Sequence, residues 1–196
     1  IDANYFQHQP FLDNALKETD FKLKALGIGS GTHVGLYSKK YKSINDVTDG
    51  ARVVIPNDPV NQGRALLLLQ QSKLITLKDA NNHLSNLQDI ASNPKNLKFI
   101  EVEGPQTARA VDEADLVFSY PMYLRLAKTI DPNAALVLDQ INNTRYAILF
   151  VVRDDYEQTH PEKAENLKKF IQIYKNSEKV KQELNTDIGE KLWFKG

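Results

Sequence analysis

The chain has 196 residues, with 25 Lys and Arg balancing 25 Asp and Glu, and a sequence pI near 7.1. This balance argues against bulk binding to nucleic acid or to an anionic membrane, because both favour a basic surplus. Cysteine is absent, which excludes disulfides, thiolate metal sites and cysteine nucleophiles. A hydrophobic content of 41% predicts a folded core, and no apolar run reaches the length of a membrane span.

Apolar periodicity and turn residues predict strands and helices that alternate along the chain. In chain order these are a strand end at 1–6, a helix at 10–19, a half-exposed strand at 21–26, a glycine-rich loop at 27–31, a strand at 34–38, a short helix at 43–47, a turn at 48–50, a strand at 52–55, a helix at 61–72, a strand at 97–102, a helix at 106–113, a buried strand at 115–119, a helix at 122–128, a strand at 135–138, the most apolar strand at 145–152 and helices at 161–174 and 177–184. The alternation predicts an α/β fold with parallel sheets covered on both faces.

The segment from the strand at 52–55 into the helix at 61–72 is the most informative part of the chain. A strand, a turn and a helix in this order bring backbone N–H groups and the positive end of a helix to the edge of a sheet. Arg64, in the first turn of the predicted helix, adds a cation that suits a small carboxylate or phosphate. Open α/β sheets bind ligands beyond their strand ends, and Tyr5, Asn57 and Ser119 lie at or just beyond the ends of predicted strands.

Four motifs of the chain resemble the NlpA lipoprotein family, the methionine-binding components of bacterial ABC importers. They are residues 2–8 (DANYFQH), 35–43 (GLYSKKYKS), 57–66 (NDPVNQGRAL) and 93–99 (NPKNLKF). The match runs in order from residue 1 to about 117 and resumes from residue 146 to the end. The resemblance implies an α/β fold of the periplasmic-binding-protein type II, with two α/β lobes joined by two crossover strands and a ligand bound in the cleft.

By this resemblance, residues 1–48 and 143–196 form lobe one, and residues 49–142 form lobe two, with a hinge near Asp49 and Gln140. Family members carry further strand–helix units before the position of Ile1, so we expect lobe one to lack its N-terminal part. An exposed sheet edge left by that loss would need a partner chain, and a domain-swapped dimer is one way to cover it.

The resemblance also implies site residues. Arg64 matches the family arginine that binds the ligand's carboxylate. The alternative is a surface arginine near a helix start with no role in ligand binding. Tyr5, Phe6 and His8 match the aromatic group around the methionine side chain, with ordinary packing as the alternative, an equally good one for Phe6. Tyr5 and His8 are expected to lie in a loop, where packing is the weaker explanation. Asn61 either orients the ligand or shapes the turn.

The chain departs from the family pattern after the strand at 115–119. The resemblance implies an asparagine there that binds the amino-acid head group, whereas this chain has Ser119 and Tyr120, and we expect one or the other to replace its hydrogen bond. Arg145, an extra cation in a second altered element, is predicted to pair with Asp139 at the surface, and the alternative is that it suits a different ligand. His33, His83 and His160 lie in unrelated polar contexts and are predicted to be surface residues and not a metal set.

These observations predict a substrate-binding component of an ABC importer for methionine or a related amino acid or short peptide, with no catalytic, metal or cofactor site. The expected partners are the ligand and the membrane subunits of the transporter, and the expected location is the periplasm or cell envelope, lipid-anchored in the precursor. The alternative is a surface-anchored binding or adhesion lipoprotein that has kept the fold and lost methionine specificity. The sequence leaves open the ligand's identity and stereochemistry.

Overall fold

The computed structural model describes residues 1–139 and 144–196. In chain order its strands and α-helices are β1 (Asn4–His8), α1 (Gln9–Glu18), β2 (Leu23–Thr32), β3 (Gly35–Tyr37), β4 (Arg52–Pro56), α2 (Pro59–Gln71), β5 (Thr76–Leu77), β6 (Ile90–Ser92), β7 (Lys98–Val102), α3 (Gly104–Arg109), β8 (Leu116–Ser119), α4 (Pro121–Ala127), β9 (Val137–Leu138), β10 (Ala147–Arg153), α5 (Tyr156–Thr159), α6 (Pro161–Asn176), α7 (Glu178–Leu184) and β11 (Trp193–Lys195). Contacts divide the chain into two compact units, Ile1–Thr32 with Ile141–Gly196 and His33–Gln140.

The first unit is built on a four-stranded sheet with the order β1-β10-β2-β11. The apolar strand β10 lies inside this sheet, with β1 on one side and β2 on the other. Leu149 and Val151 of β10 pack with Leu12 of α1, while Val152 packs with Ala164 of α6. Because successive side chains of a strand point to opposite faces, β10 buries both of its faces under helices.

All strand pairs of this first sheet are antiparallel, so the predicted parallel sheet is wrong for this unit. The reason lies in the position of β10. β1, α1 and β2 follow one another as a strand–helix–strand unit whose two strands run the same way, but β10 is inserted between them and runs against both. Alternation along the chain predicted the unit correctly and missed the inserted strand.

The glycine-rich stretch 27–31, predicted to be a loop, is instead the second half of β2. Each of its three glycines lies where a side chain crosses the strand: Ile171 at Gly27, Tyr5 at Gly29 and Phe194 at Gly31. A Cβ at Gly29 or Gly31 would overlap the aromatic ring there, so these glycines admit close packing onto the strand.

The second unit has a five-stranded sheet with the order β7-β4-β8-β3-β9. β4 is parallel to β7 and β8, as predicted, whereas β3 is antiparallel to β8 and β9. Val53 and Ile55 of β4 pack in one core with Leu66 of α2, and Val54 packs on the other face with Leu124 of α4. The sheet is therefore covered on both faces, and its strands β4 and β8 read as nearly continuous apolar runs.

The predicted boundary near residue 48 falls later in the chain than the observed division after Thr32. β3 pairs with β8 and β9, so the segment that carries it belongs to the second unit. Asp49 also lies inside that unit, beside a turn in which Gly50 has a φ of 69° and donates its N–H to the Lys95 carbonyl. The predicted boundary at 142–143 and the hinge residue Gln140 lie outside the described residues.

Helix positions follow the predictions within a few residues. α6 and α7 are found where apolar periodicity and Ser177 placed them, and the Ser177 hydroxyl accepts the N–H of Val180 at 3.3 Å. The predicted helix at 106–113 is α3 followed by a 3-10 turn, Ala110–Asp112. Within residues 1–139 and 144–196, the helices are all too short or too polar to cross a membrane.

Candidate functional site

The start of α2 is fixed by Asp58, which lies three residues beyond the β4 residue Ile55. One carboxylate oxygen of Asp58 accepts the N–H of Asn61 at 2.9 Å, and the other accepts the side-chain amide of Asn61 at 3.0 Å. Pro59 occupies the first helical position, where the lack of an N–H costs nothing. The helix thus begins two residues earlier than predicted, and Arg64 lies in its second turn and not in its first.

This cap changes the predicted anion site at the helix start. The N–H of Asn61 is bound to the Asp58 carboxylate, and the N–H of Gln62 is bound to the Asp58 carbonyl at 2.9 Å. The chain's own carboxylate therefore takes the place at the positive helix end that the sequence suggested for a ligand. Arg64 is left as the feature of this segment that suits an external carboxylate.

Arg64 forms an ion pair with Asp139, and both side chains are only 2% exposed. The Arg64 Nε and Nη2 atoms both donate to Asp139 Oδ2, at 3.0 and 2.6 Å. Burial alone would lower the pKa of Arg64, but Tyr120 and Asp139 together raise it above its ordinary value. The guanidinium is a buried and permanently charged group with a defined orientation.

Two predictions about this region are wrong. Asp139 is not a surface partner for Arg145, because it is buried against Arg64. His33 is not a surface residue either, since its side chain is 13% exposed and its Nδ1 lies 3.2 Å from Asp139 Oδ1. Neither the contact of Asp139 with Arg64 nor that of His33 with Asp139 was predicted. The signal available was that Asp139 follows directly after a predicted strand.

Tyr120 lies beside Arg64 and connects it to the start of α2. The Tyr120 hydroxyl donates to Asn61 Oδ1 at 2.5 Å and lies 3.5 Å from Arg64 Nη1, and the guanidinium carbon is 5.6 Å from the centre of the Tyr120 ring. Burial raises the pKa of Tyr120 to about 12, although Arg64 opposes this shift, so the phenol is neutral near pH 7. Three of the predicted site residues, Asn61, Arg64 and Tyr120, are thus joined in one network.

Ser119 does not belong to this network. Its neighbour Phe118 packs in the core under α2, whereas Val117 packs in the core under α4, and Ser119 shares the face of Val117 because side chains alternate along β8. Ser119 is fully buried, and its hydroxyl lies 2.9 Å from Thr107 Oγ1 in α3. It links a strand to a helix on the face of the sheet away from Arg64.

The polar groups of the second unit form a continuous chain of contacts through its interior. In order, the chain runs through Asp58, Asn61, Tyr120, Arg64, Asp139 and His33. Such a network rigidifies its members when every donor and acceptor in it is satisfied.

Tyr5, Phe6 and His8 all lie in β1 of the first unit, and not in a loop as predicted for Tyr5 and His8. The Tyr5 hydroxyl accepts the N–H of Ser30 at 3.0 Å, and the Tyr5 ring stacks on Phe150 with 4.2 Å between ring centres. Burial raises the pKa of the Tyr5 phenol. These contacts fix the position of the Tyr5 ring although the residue is 37% exposed, and the predicted contact of Tyr5 with a ligand stays a prediction.

His8 and Phe6 differ from each other in exposure. His8 is 5% exposed, and its Nδ1 caps α1 by accepting the N–H of Phe11 at 3.3 Å, which places the proton of the neutral ring on Nε2. Phe6 is 65% exposed, and its ring centre lies 6.3 Å from that of Phe11. The predicted role of both residues in a side-chain pocket stays a prediction.

Grouped histidines and carboxylates are the usual sign of a metal site. Across residues 1–139 and 144–196, the side chains form no cluster of three or more such groups that would hold a metal ion. The described part of the chain therefore offers polar chemistry of a different kind, centred on one buried guanidinium.

Comparisons with known proteins agree on one family. The family model described as NlpA lipoprotein matches residues 1–193. The D-methionine-binding lipoprotein MetQ of Escherichia coli O157:H7 is 42% identical over 181 residues, which cover 91% of this chain and 64% of that protein. The chain thus spans less than two thirds of the length of this curated relative.

Solved structures agree with the family match. A nutrient-binding protein from Burkholderia cenocepacia, solved bound to methionine, has a TM-score of 0.86 and 34% identity, covering 98% of this chain and 78% of that one. The substrate-binding protein of a methionine transporter from Streptococcus pneumoniae has a TM-score of 0.88 and 31% identity, covering 98% and 75%. The predicted α/β fold of ABC substrate-binding proteins is confirmed.

Proposed function

The chain belongs to the NlpA lipoprotein family, and from this we propose that it binds methionine or a related amino acid or short peptide as the substrate-binding component of an ABC importer. The names of its relatives support this ligand class, since one is a D-methionine-binding lipoprotein and another was solved with methionine. The partner we propose is the membrane part of the transporter, and the location is the cell envelope, through a lipid anchor of the precursor. We propose no catalytic role.

The observation that carries the proposal is the buried and oriented guanidinium of Arg64. Arginine suits a carboxylate because its planar fork donates two charge-assisted hydrogen bonds in a fixed geometry. The cost of burying and orienting this cation is already met within the unit, by Asp139 and by the ring of Tyr120. A ligand carboxylate would therefore meet a preorganised partner, which reduces the free-energy cost of binding.

Tyr120 and Asn61 complete the proposed head-group site. By the family resemblance, an asparagine after β8 would bind the head group, and Tyr120 stands one residue beyond the end of that strand. Its hydroxyl donates to Asn61, so the lone pairs of the phenol oxygen are the part of Tyr120 suited to a ligand ammonium. We propose that Arg64 takes the carboxylate and that Tyr120, held by Asn61, takes the place of the missing amide.

The same replacement supports the second candidate function, a binding or adhesion lipoprotein without methionine specificity. A phenol hydroxyl does not offer the same hydrogen-bond donors and acceptors as an amide. Each polar group of the ligand that is buried without a hydrogen bond would cost about 1–3 kcal/mol of binding free energy. Titration with a panel of amino acids separates the two functions. Methionine binding stronger than that of leucine or glutamate supports the importer, and equally weak binding of all three supports the second candidate.

Calorimetric titration of the purified chain with methionine tests the role of Arg64. Arg64→Ala is expected to weaken binding by about 2 kcal/mol or more, roughly thirty-fold, because the carboxylate loses a charge-assisted partner. Arg64→Lys, which keeps the charge and loses the fork, should fall between that variant and the native chain.

Arg52→Ala is the matched control, because the Arg52 side chain is 53% exposed and its ion-pair partner is Asp115. Circular dichroism verifies that each variant is folded. Native affinity in a folded Arg64→Ala variant would refute the assignment of the carboxylate to Arg64.

A further inference from the structure

Asp139 is the most completely bonded carboxylate of the polar network. Its Oδ2 accepts two N–H groups of Arg64, and its Oδ1 accepts the N–H of Val34 at 3.0 Å and lies 3.2 Å from His33 Nδ1. Its own N–H donates to the Val34 carbonyl at 2.9 Å, so backbone and side chain are both tied to the same neighbouring segment. A carboxylate held in this way has little freedom to move when a ligand arrives.

The position of Asp139 determines how Arg64 is presented. The Nε and Nη2 donors on one edge of the guanidinium converge on a single oxygen, Oδ2, and this fixes the rotation of the planar group. The Nη1 corner is thereby turned toward Tyr120, at 3.5 Å from its hydroxyl oxygen. The side chain that would meet the ligand carboxylate takes its orientation from Asp139.

The charges of this buried pair also indicate a role for Asp139 in ligand selection. Arg64 and Asp139 together carry no net charge, and both are buried, so their fields are poorly screened by solvent. A ligand with one carboxylate and one ammonium adds no net charge to such a pair. A ligand with a second carboxylate brings a negative charge near Asp139, which is unfavourable in a buried site.

We propose that Asp139 is a positioning residue that orients Arg64 and restricts the site to zwitterionic ligands with a single carboxylate. This inference rests on the proposed function, because it assigns to Asp139 the selectivity of the same head-group site. It predicts that a change at Asp139 alters the recognition of the carboxylate more than the recognition of the rest of the ligand.

The test compares methionine, methioninamide and glutamate by calorimetric titration of the native chain and of Asp139→Asn. In the variant, methionine affinity should fall at least ten-fold while methioninamide affinity changes less than three-fold, so that the preference for the acid over the amide shrinks. The preference for methionine over glutamate should also shrink, because the charge that repels the second carboxylate is gone. Asp115→Asn is the matched control: Asp115 also accepts a backbone N–H and a cationic group, those of Arg52 and Lys40, and should leave all three affinities unchanged.

Asp139→Glu serves if Asp139→Asn does not fold, because it keeps the charge and moves the carboxylate by one methylene. It should retain discrimination against glutamate and lose part of the preference for methionine over methioninamide. An NMR signal gives a readout that needs no ligand: the Nε–H proton of Arg64 should exchange slowly with water in the native chain and in Asp115→Asn, and faster in Asp139→Asn.

The outcomes separate this inference from the proposed function. If the native chain binds methionine, but both Asp139 variants keep its preference for the acid over the amide, the inference is overturned and the proposed function stands. If the native chain does not bind methionine, the proposed function fails and takes the ligand selectivity of Asp139 with it. Rapid exchange of the Arg64 Nε–H in the native chain would overturn the orienting role directly.

Discussion

At the scale of single residues, the buried pair of Arg64 and Asp139 carries opposite consequences for stability and for specificity. A buried ion pair gains little net stability over well-packed apolar residues, because both charges lose their hydration. Breaking it is costly, since the remaining charge is left buried without its counter-ion. The pair is therefore better explained by the orientation that it imposes than by the stability that it adds.

Arg64→Met should lower the free energy of unfolding by about 3–5 kcal/mol, because it leaves the Asp139 carboxylate buried beside an apolar side chain. Combining it with Asp139→Asn should recover most of this loss, since the amide oxygen still accepts the N–H of Val34 and no charge remains. Urea unfolding of the single and double variants measures both values. Losses that simply add in the double variant would contradict the coupling of these two residues.

At the scale of elements, α2 depends on a glycine that helix propensity alone would disfavour. Gly63 lies in the interior of this helix, directly before Arg64. A Cβ at Gly63 would overlap the backbone carbonyl oxygen of His83, so the loop that contains His83 packs directly on the helix backbone. The glycine thus joins the network helix to a neighbouring loop.

Gly63→Ala should destabilise the chain by about 1–3 kcal/mol, because backbone atoms of the loop must move to admit the methyl group. The sign of the change in stability shows whether the loop resists the methyl group, because the same substitution at an open helix position stabilises by about 1 kcal/mol. Gln71→Ala, at an exposed position of the same helix, is the control and should be close to neutral. Thermal unfolding of both variants gives the comparison, and a stabilised Gly63→Ala would show that the loop yields freely.

The elements that sequence predicts well are those specified by local chemistry. α6 follows from apolar periodicity, α7 from its Ser177 cap, and β4 from a short apolar run before a turn. The second half of β2 was missed because its glycines resemble a loop until the side chains of Ile171, Tyr5 and Phe194 are seen to cross it. Tertiary packing there overrides the local signal.

The candidate site was predictable only in part for a related reason. Arg64 and Asn61 stand in one recognisable segment, and Tyr120 follows a strand that the sequence marks clearly. Asp139 is 75 positions from Arg64, and only the order of strands in the sheet brings them together. Ser119 lies on the face of the sheet away from Arg64, because a shift of one residue along β8 moves a side chain to the opposite face, and its predicted contact with the ligand stays a prediction.

At the scale of the whole molecule, positive and negative charges are balanced. The dependence of folding stability on acid pH is therefore set by particular ion pairs. Hydrogen bonds from Lys168 and Lys24 lower the pKa of Glu157 to about 2. A carboxyl group whose pKa is lower in the folded state stabilises the fold above its unfolded pKa and ceases to do so as pH falls through the folded value. The Glu157 contribution should therefore disappear between about pH 4.5 and about pH 2.

Glu157→Gln should make the stability of the chain less dependent on pH within that window and leave the dependence near pH 7 unaltered. Urea midpoints measured from pH 7 down to pH 2.5 give the two profiles. Glu183→Gln, at an exposed position of α7, is the control. Parallel profiles for the native chain and Glu157→Gln would show that the contacts of Glu157 are too well solvated to matter.

The insertion of β10 between β1 and β2 has a consequence for biosynthesis. The strands of the N-terminal segment are finished early, yet the edge that each presents to β10 has no partner until Ala147–Arg153 has left the ribosome. At ordinary elongation rates this interval lasts on the order of 10 s. His33–Gln140 is continuous in the chain and emerges complete in the meantime, so we expect it to fold first. Until β10 is synthesised, the unpaired edges of β1 and β2 are the part of the chain that a chaperone or an aggregation nucleus would bind.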